Sequence, residues 1–138
     1  MRPFEYFLQK GDIKKITPNI EESKSLVIDG IKRFSYHIKQ DITDENGKYI
    51  VESIYESIRE LLDAYLIRNG YRSYSHQAPI VFAAMKSIIT DKESKILDDL
   101  RDLRNKSKYY GKEIPLSLAK ESAREAKVIF DKIKRALK

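Results

Sequence analysis

The chain has 138 residues, 41% hydrophobic and 35% charged, a size and balance that suit one folded domain spanning residues 1–138. It contains no cysteine, which excludes a disulfide scaffold, thiolate metal sites and a cysteine nucleophile. Lys and Arg number 27 against 21 Asp and Glu, giving a net charge of +6 and a pI of about 9.4; a polyanionic partner is one reading, a lysine-rich surface kept for solubility the other.

The first residues lack an apolar stretch long enough for a signal peptide. Residues Pro3 to Lys10 read as a short helix with Phe4, Phe7 and Leu8 on one side and Gly11 as its stop. After a loop through Thr17 and Pro18, Asn19 reads as an N-cap with Glu22 completing a capping box. Val27, Ile31, Phe34 and Ile38 then recur at helical spacing, which predicts a helix from Ile20 to Lys39 with room for a close crossing at Gly30. Asp41 to Gly47 is a connection. Tyr49 to Arg68 is the clearest helix, apolar at Ile50, Ile54, Ile58, Leu61, Leu62 and Tyr65, with Glu52, Glu56, Arg59, Glu60 and Asp63 expected on the opposite, polar side.

Tyr71 to His76 reads as a polar turn, and Gln77 to Ile89 as a helix with Pro79 in its first turn. The longest apolar run, Ala78 to Met85, contains that proline and is too short to span a bilayer, so no membrane association and a cytoplasmic location are expected. Asp91 is expected to cap a long helix carrying Ile96, Leu97, Leu100 and Leu103, and Leu116 to Leu137 forms the last one. No strand pattern is visible. The expected fold is all-α, an up-and-down bundle of four to five main helices.

Phosphate-loop and dinucleotide glycine motifs are absent, and the two histidines, His37 and His76, lie far apart, so neither a cofactor nor a metal is expected. Ser75-His76 read as a turn serine and a helix-start histidine. Asp98, Asp99 and Asp102, set among Lys95, Arg101 and Arg104, read as surface ion pairs rather than a metal cluster.

The most distinctive stretch is LRNKSKYYGK, Leu103 to Lys112, which gathers Arg104, Asn105, Lys106, Lys108, Tyr109, Tyr110 and Lys112 at the end of an apolar helix. Guanidinium and ammonium groups grip phosphates, Asn105 can hydrogen-bond a base, and tyrosines stack on bases. Equally, a basic helix end closed by Gly111 complements the helix dipole.

Arg104-Asn105, together with YESIRELLDAYLIRNGYRSYSHQA over Tyr55 to Ala78, resembles the HEPN-domain family, in particular an archaeal-type branch with an acidic helix followed by a G-Y-x-S-Y-S-H turn. The family's hallmark is Arg-polar-x-x-x-His, and here its histidine position falls on Tyr109. The resemblance implies a helical bundle and a homodimer in which the two motif segments face each other. It further implies RNA or nucleotide binding through Arg104, Asn105, Lys106, Lys108 and Tyr110, and a small nucleotidyltransferase as partner in a toxin–antitoxin-type system. Active members are metal-independent ribonucleases, so Arg104 and Tyr109 are the candidate catalytic pair. Tyrosine titrates near ~10 against ~6.5 for histidine, and losing a positioned acid–base group costs roughly 10²–10⁴ in rate. The expectation is therefore a binding module with weak or no catalysis; the alternative is a ribonuclease built on Arg104 and Tyr109. Glu60 is a candidate to orient Arg104 by an ion pair, or else a surface partner on its own helix. Tyr71, Tyr74 and His76 either line the same cleft or pack over the bundle end.

Overall fold

A computed structural model describes all residues, 1–138. The all-α expectation holds: four long helices and two short ones make up the chain, with one pair of three-residue strands added. The helices are α1 (Phe4–Lys10), α2 (Ile20–Ile38), α3 (Gly47–Arg68), α4 (Ala78–Met85), α5 (Asp91–Tyr110) and α6 (Leu116–Ala136). None is long and apolar enough to cross a membrane.

The helix boundaries follow local chemistry. Asn19 accepts from the Glu22 backbone N–H at 3.0 Å and starts α2. The cap of α5 is Thr90, not Asp91: its hydroxyl accepts from Glu93 N–H while the Glu93 carboxylate accepts from Thr90 N–H, a complete capping box. Gly11 and Gly111 end α1 and α5 in the left-handed conformation, at φ 86° and 63°. The expected Gln77–Ile89 helix stops at Met85, because the chain turns at Ser87, whose φ is 60°.

The strands β1 (Ile13–Lys15) and β2 (Tyr71–Ser73) correct the expectation of no strand. They pair antiparallel, Ile13 opposite Ser73 and Lys15 opposite Tyr71. Three residues are too few to show an alternating pattern, and the pairing joins segments separated by α2 and α3. A bidentate pair from Arg72 to Glu22, at 3.0 and 2.7 Å, ties β2 to α2.

Helix α3 is central. Its sides are wrapped by α2, α4, α5 and α6, and of its 22 residues only Tyr49 is exposed. The main core runs from Ile50, Ile54, Ile58 and Leu61 to Leu97, Ile129 and Ile133, with Phe34 of α2 stacked on Phe130 of α6 at 3.9 Å. A second core under α1 gathers Phe4, Phe7, Ile13, Leu66 and Phe82. Gly30 is the close crossing of α2 on α3: a methyl group there would meet Leu61 Cδ2 at 3.1 Å and the Ser57 carbonyl at 3.2 Å.

Because α3 is enclosed, its expected polar side does not face water. Glu52, Glu56, Arg59, Glu60 and Asp63 are all half-buried. Such groups need partners, since an unpaired charge out of water is costly.

Candidate functional site

Those partners assemble the site. Arg104 projects from α5 toward α3 and is only 4% exposed. Its Nη2 donates to the Glu56 carboxylate and its Nη1 to Asn105 Oδ1 at 3.0 Å, while Nε has no partner. The guanidinium lies between two aromatic rings, 5.5 Å from the centre of Tyr55 and 5.7 Å from that of Tyr109. A desolvated guanidinium gains from such ring faces as well as from its carboxylate.

Tyr55 links this arginine to His76. The Tyr55 hydroxyl lies 3.3 Å from His76 Nδ1, and the two rings stack with centres 6.4 Å apart. Arg59 Nη1 approaches the same imidazole, 3.0 Å from Nδ1 and 3.2 Å from Nε2, while Arg59 Nε reaches Asp63 at 3.6 Å. An arginine only donates, so the imidazole accepts there. Burial first, then the charges of Arg59 and Arg104, hold the His76 pKa below its ordinary value, which keeps the ring neutral at pH 7. Burial also pushes the Tyr55 hydroxyl up to about 12, so it remains a donor throughout the neutral range.

The turn before α4 fixes the histidine. Ser75 Oγ accepts from the backbone N–H of Gln77 and Ala78 at 3.2 and 3.3 Å, a turn role that leaves it no place as a nucleophile beside His76. Gln77 and Arg101 both donate to Asp98 Oδ1, at 3.1 and 2.9 Å, and so hold this turn to α5.

Beyond the buried cluster, the end of α5 is open. Tyr109 and Tyr110 are 64% and 76% exposed. Lys108 and Lys112 are exposed there too, with Lys108 Nζ 5.8 Å from the Tyr109 ring. Lys106 is exposed but engaged with Asp102 at 2.9 Å. The last carbonyls of α5 carry the negative end of its dipole, worth roughly 0.3–1 kcal/mol against an anion, and the free lysines offset it.

The structure thus brings together Arg104, Asn105, Tyr109 and His76, with Lys108 and Tyr110 on the adjoining surface. It separates others. Glu60 does not orient Arg104: its Oε1 lies 3.1 Å from Arg33 Nε on α2, without hydrogen-bond alignment, and Glu56, one turn earlier, takes the arginine. Nor is Glu60 a surface partner on its own helix. Burial, then its hydrogen bond to Asp29, push its carboxyl up to about 7. Tyr71 packs edge-on to Phe4 at 5.3 Å, and Tyr74 is exposed beneath Lys14, so neither lines the Arg104 cluster. Asp99 and Asp102 form exposed pairs with Lys95 and Lys106, as the surface reading expects, whereas Asp98 is half-buried and binds Gln77 across the turn as well as Arg101.

Tyr55, Glu56 and Arg59 are the members that sequence reasoning missed. A partial signal was the width of the apolar stripe on α3: Ile50, Val51, Ile54, Tyr55, Ile58, Leu61, Leu62 and Leu66 span about 160° of its circumference, and Ile67 falls among the charged positions. Any charge on such a helix borders the core and must be answered by another element. No protein-family model matches the chain, and no curated protein matches it.

Proposed function

We propose that the chain is an RNA- or nucleotide-binding module of the HEPN type, working as a homodimer with a small nucleotidyltransferase as partner, and cleaving RNA weakly or not at all. One observation carries the reading: the two stretches on which the resemblance rests, Tyr55–Ala78 and Leu103–Lys112, meet in space through Arg104, Tyr55 and His76. Phosphates are taken by Lys108 and Lys112, bases stack on Tyr109 and Tyr110, and Arg104 serves from behind as the fixed positive centre.

Anisotropy of a labelled single-stranded RNA across a salt series tests it. Lys108→Ala/Lys112→Ala weakens binding at least roughly tenfold and flattens the salt slope by about one to two. Binding by the native chain that is absent, or indifferent to salt and to these changes, overturns the reading.

A specific observation favours a second reading, a metal-independent ribonuclease. His76 is a neutral imidazole next to Tyr55, on whose ring Arg104 packs, and it offers the proton acceptor that Tyr109 lacks. In this reading His76 takes the proton of a ribose 2′-hydroxyl as its oxygen attacks the adjacent phosphorus, and the P–O5′ bond breaks with the departing 5′-oxygen taking a proton from water. Arg104, enclosed and held by Glu56, acts on the phosphate charge through its field and not by contact. A cleavage assay in chelator decides it: loss of cleavage in both His76→Ala and Arg104→Ala, with circular dichroism retained, makes the chain a ribonuclease. No cleavage by the native chain leaves the binding module.

A further inference from the structure

The polar stripe of α3 joins two surfaces that lie far apart in the sequence. Glu52, Glu56, Arg59 and Asp63 recur at helical spacing and share one side of the helix. Glu56 binds Arg104, against which the exposed Tyr109 ring rests. Arg59 meets His76 and, at 3.6 Å, Asp63. Beside Asp63 the stripe reaches the strand pair. Ser23 Oγ donates to the carbonyl of Ala64 at 2.9 Å, and the neighbouring Glu22 holds Arg72 of β2. The charges of Arg59 and Arg72 both act on Asp63. Tyr109 and Arg72 therefore stand over the same stripe, one near each end.

The strand pair carries a second cation and ring on that side. Lys14 lies opposite Arg72 in register and side chains alternate along a strand, so Lys14, Arg72 and Tyr74 share a face. Ile13 and Tyr71 turn the other way, into the smaller core. Lys14 Nζ lies 5.5 Å from the centre of the Tyr74 ring, much as Lys108 Nζ lies 5.8 Å from that of Tyr109. The two rings are 63% and 64% exposed. Neither lysine is in an ion pair. Tyr74 N–H donates to the Asp12 carbonyl at 2.7 Å, which fixes the backbone that presents its ring. Between the two Lys–Tyr units each arginine has its own carboxylate: Arg104 has Glu56, Arg59 has Asp63 and Arg72 has Glu22. Unpaired cations and open rings thus occur at the ends of the stripe and not along it.

We propose that the ligand is a single strand of RNA laid along the α3 stripe, gripped at one end by Lys108 and Tyr109 and at the other by Lys14 and Tyr74. The inference rests on the RNA-binding reading and narrows it to a strand rather than a mononucleotide. Bases stack on the two tyrosines and phosphates meet the two lysines. Glu56 to Asp63 covers ~10 Å of helix at ~1.5 Å per residue, which puts the two anchors on the order of 15 Å apart. A stacked strand advances ~3.4 Å per nucleotide, so about four or five nucleotides reach across. A shorter one occupies a single anchor and loses the gain from holding both.

Anisotropy of labelled oligouridines of ~3 and ~10 nucleotides tests it. The longer strand binds the native chain at least roughly tenfold more tightly. Lys14→Ala/Tyr74→Ala removes that advantage and leaves the short strand's affinity unchanged, whereas Lys108→Ala/Lys112→Ala weakens both lengths. Lys14→Arg/Tyr74→Phe, which keeps the charge and the ring, keeps the advantage. Equal affinity for the two lengths overturns the proposal, as does a long-strand affinity indifferent to Lys14→Ala/Tyr74→Ala; either result leaves the α5 end standing as a binding site. Loss at both lengths in that variant overturns it too, since a second anchor acts only on strands that reach it. No binding of either length overturns the RNA-binding reading and this inference with it.

Discussion

Helices α3 and α5 carry charged residues at similar spacing, yet the two sets do different things. On α5 the pairs Lys95–Asp99 and Asp102–Lys106 lie within one helix and both partners of each are exposed. On α3 the charges are half-buried and reach across to other elements: Glu56 to Arg104 of α5, Arg59 to His76 before α4, Glu60 to Arg33 of α2. Water screens the first set and leaves each pair worth ~0.2–1 kcal/mol at most. The second set is partly shielded from water, most of all at Arg104, where a broken pair strands a buried charge. The difference teaches that a charge's worth here is set by how enclosed its helix is, not by its spacing along the chain.

The sharpest way to break this comparison is to remove one partner of the enclosed pair. Glu56→Ala leaves the Arg104 guanidinium buried without a carboxylate and costs about 3–5 kcal/mol in denaturant unfolding. A loss below about 1 kcal/mol would put this pair in the same class as those on α5. Gly30→Ala comes next. Alanine favours a helix by roughly 1 kcal/mol, but its methyl would press on the Ser57 carbonyl of the central helix, so a net loss of about 1–2 kcal/mol is expected. A gain in stability would mean that α2 can lift away from α3.

A smaller effect sharpens the picture through pH. Glu60 holds its proton to about 7 and Asp63, raised mainly by burial, to about 6, whereas unfolded carboxyls release theirs near ~4. Between those limits the native state binds more protons than the unfolded one, so this contribution makes stability fall as pH rises from 5 to 7. His76 and His37, both held below their ordinary value mainly by burial, act in the opposite sense: they lose stability as pH falls below the range of a free imidazole. Glu60→Gln isolates the carboxyl term. The difference between native and variant stability should descend through pH 5–7, and a flat difference would place Glu60 in water. Smallest of all, Lys95→Ala and Asp99→Ala should each change stability by under about 0.5 kcal/mol, and added salt should erase even that.

Most of the fold was legible along the chain. The four long helices announced themselves through apolar spacing and local punctuation: Asn19 with Glu22, Gly11, Gly111 and the apolar run of α3. Gly30 was legible as a crossing point, because a glycine inside a strong helix needs a packing reason. The shorter features were not. Ile13–Lys15 and Tyr71–Ser73 become strands only because each finds the other, and the short α4 ends early at a strained Ser87.

The site divides in the same way. The clustering of basic and aromatic residues at the end of an apolar helix picked out Arg104, Asn105, Lys106, Lys108, Tyr109 and Tyr110, whereas His76 entered only through the family resemblance. Sequence alone did not tell Glu56 from Glu60 as the partner of Arg104. The two lie one turn apart on the same helix, and only the angle at which α5 crosses α3 decides which carboxylate meets the guanidinium. Helix formation is governed by neighbours three and four residues away and is therefore written locally. Which charges face each other across helices depends on axial rotation and register, and those are set by the packing of the whole core.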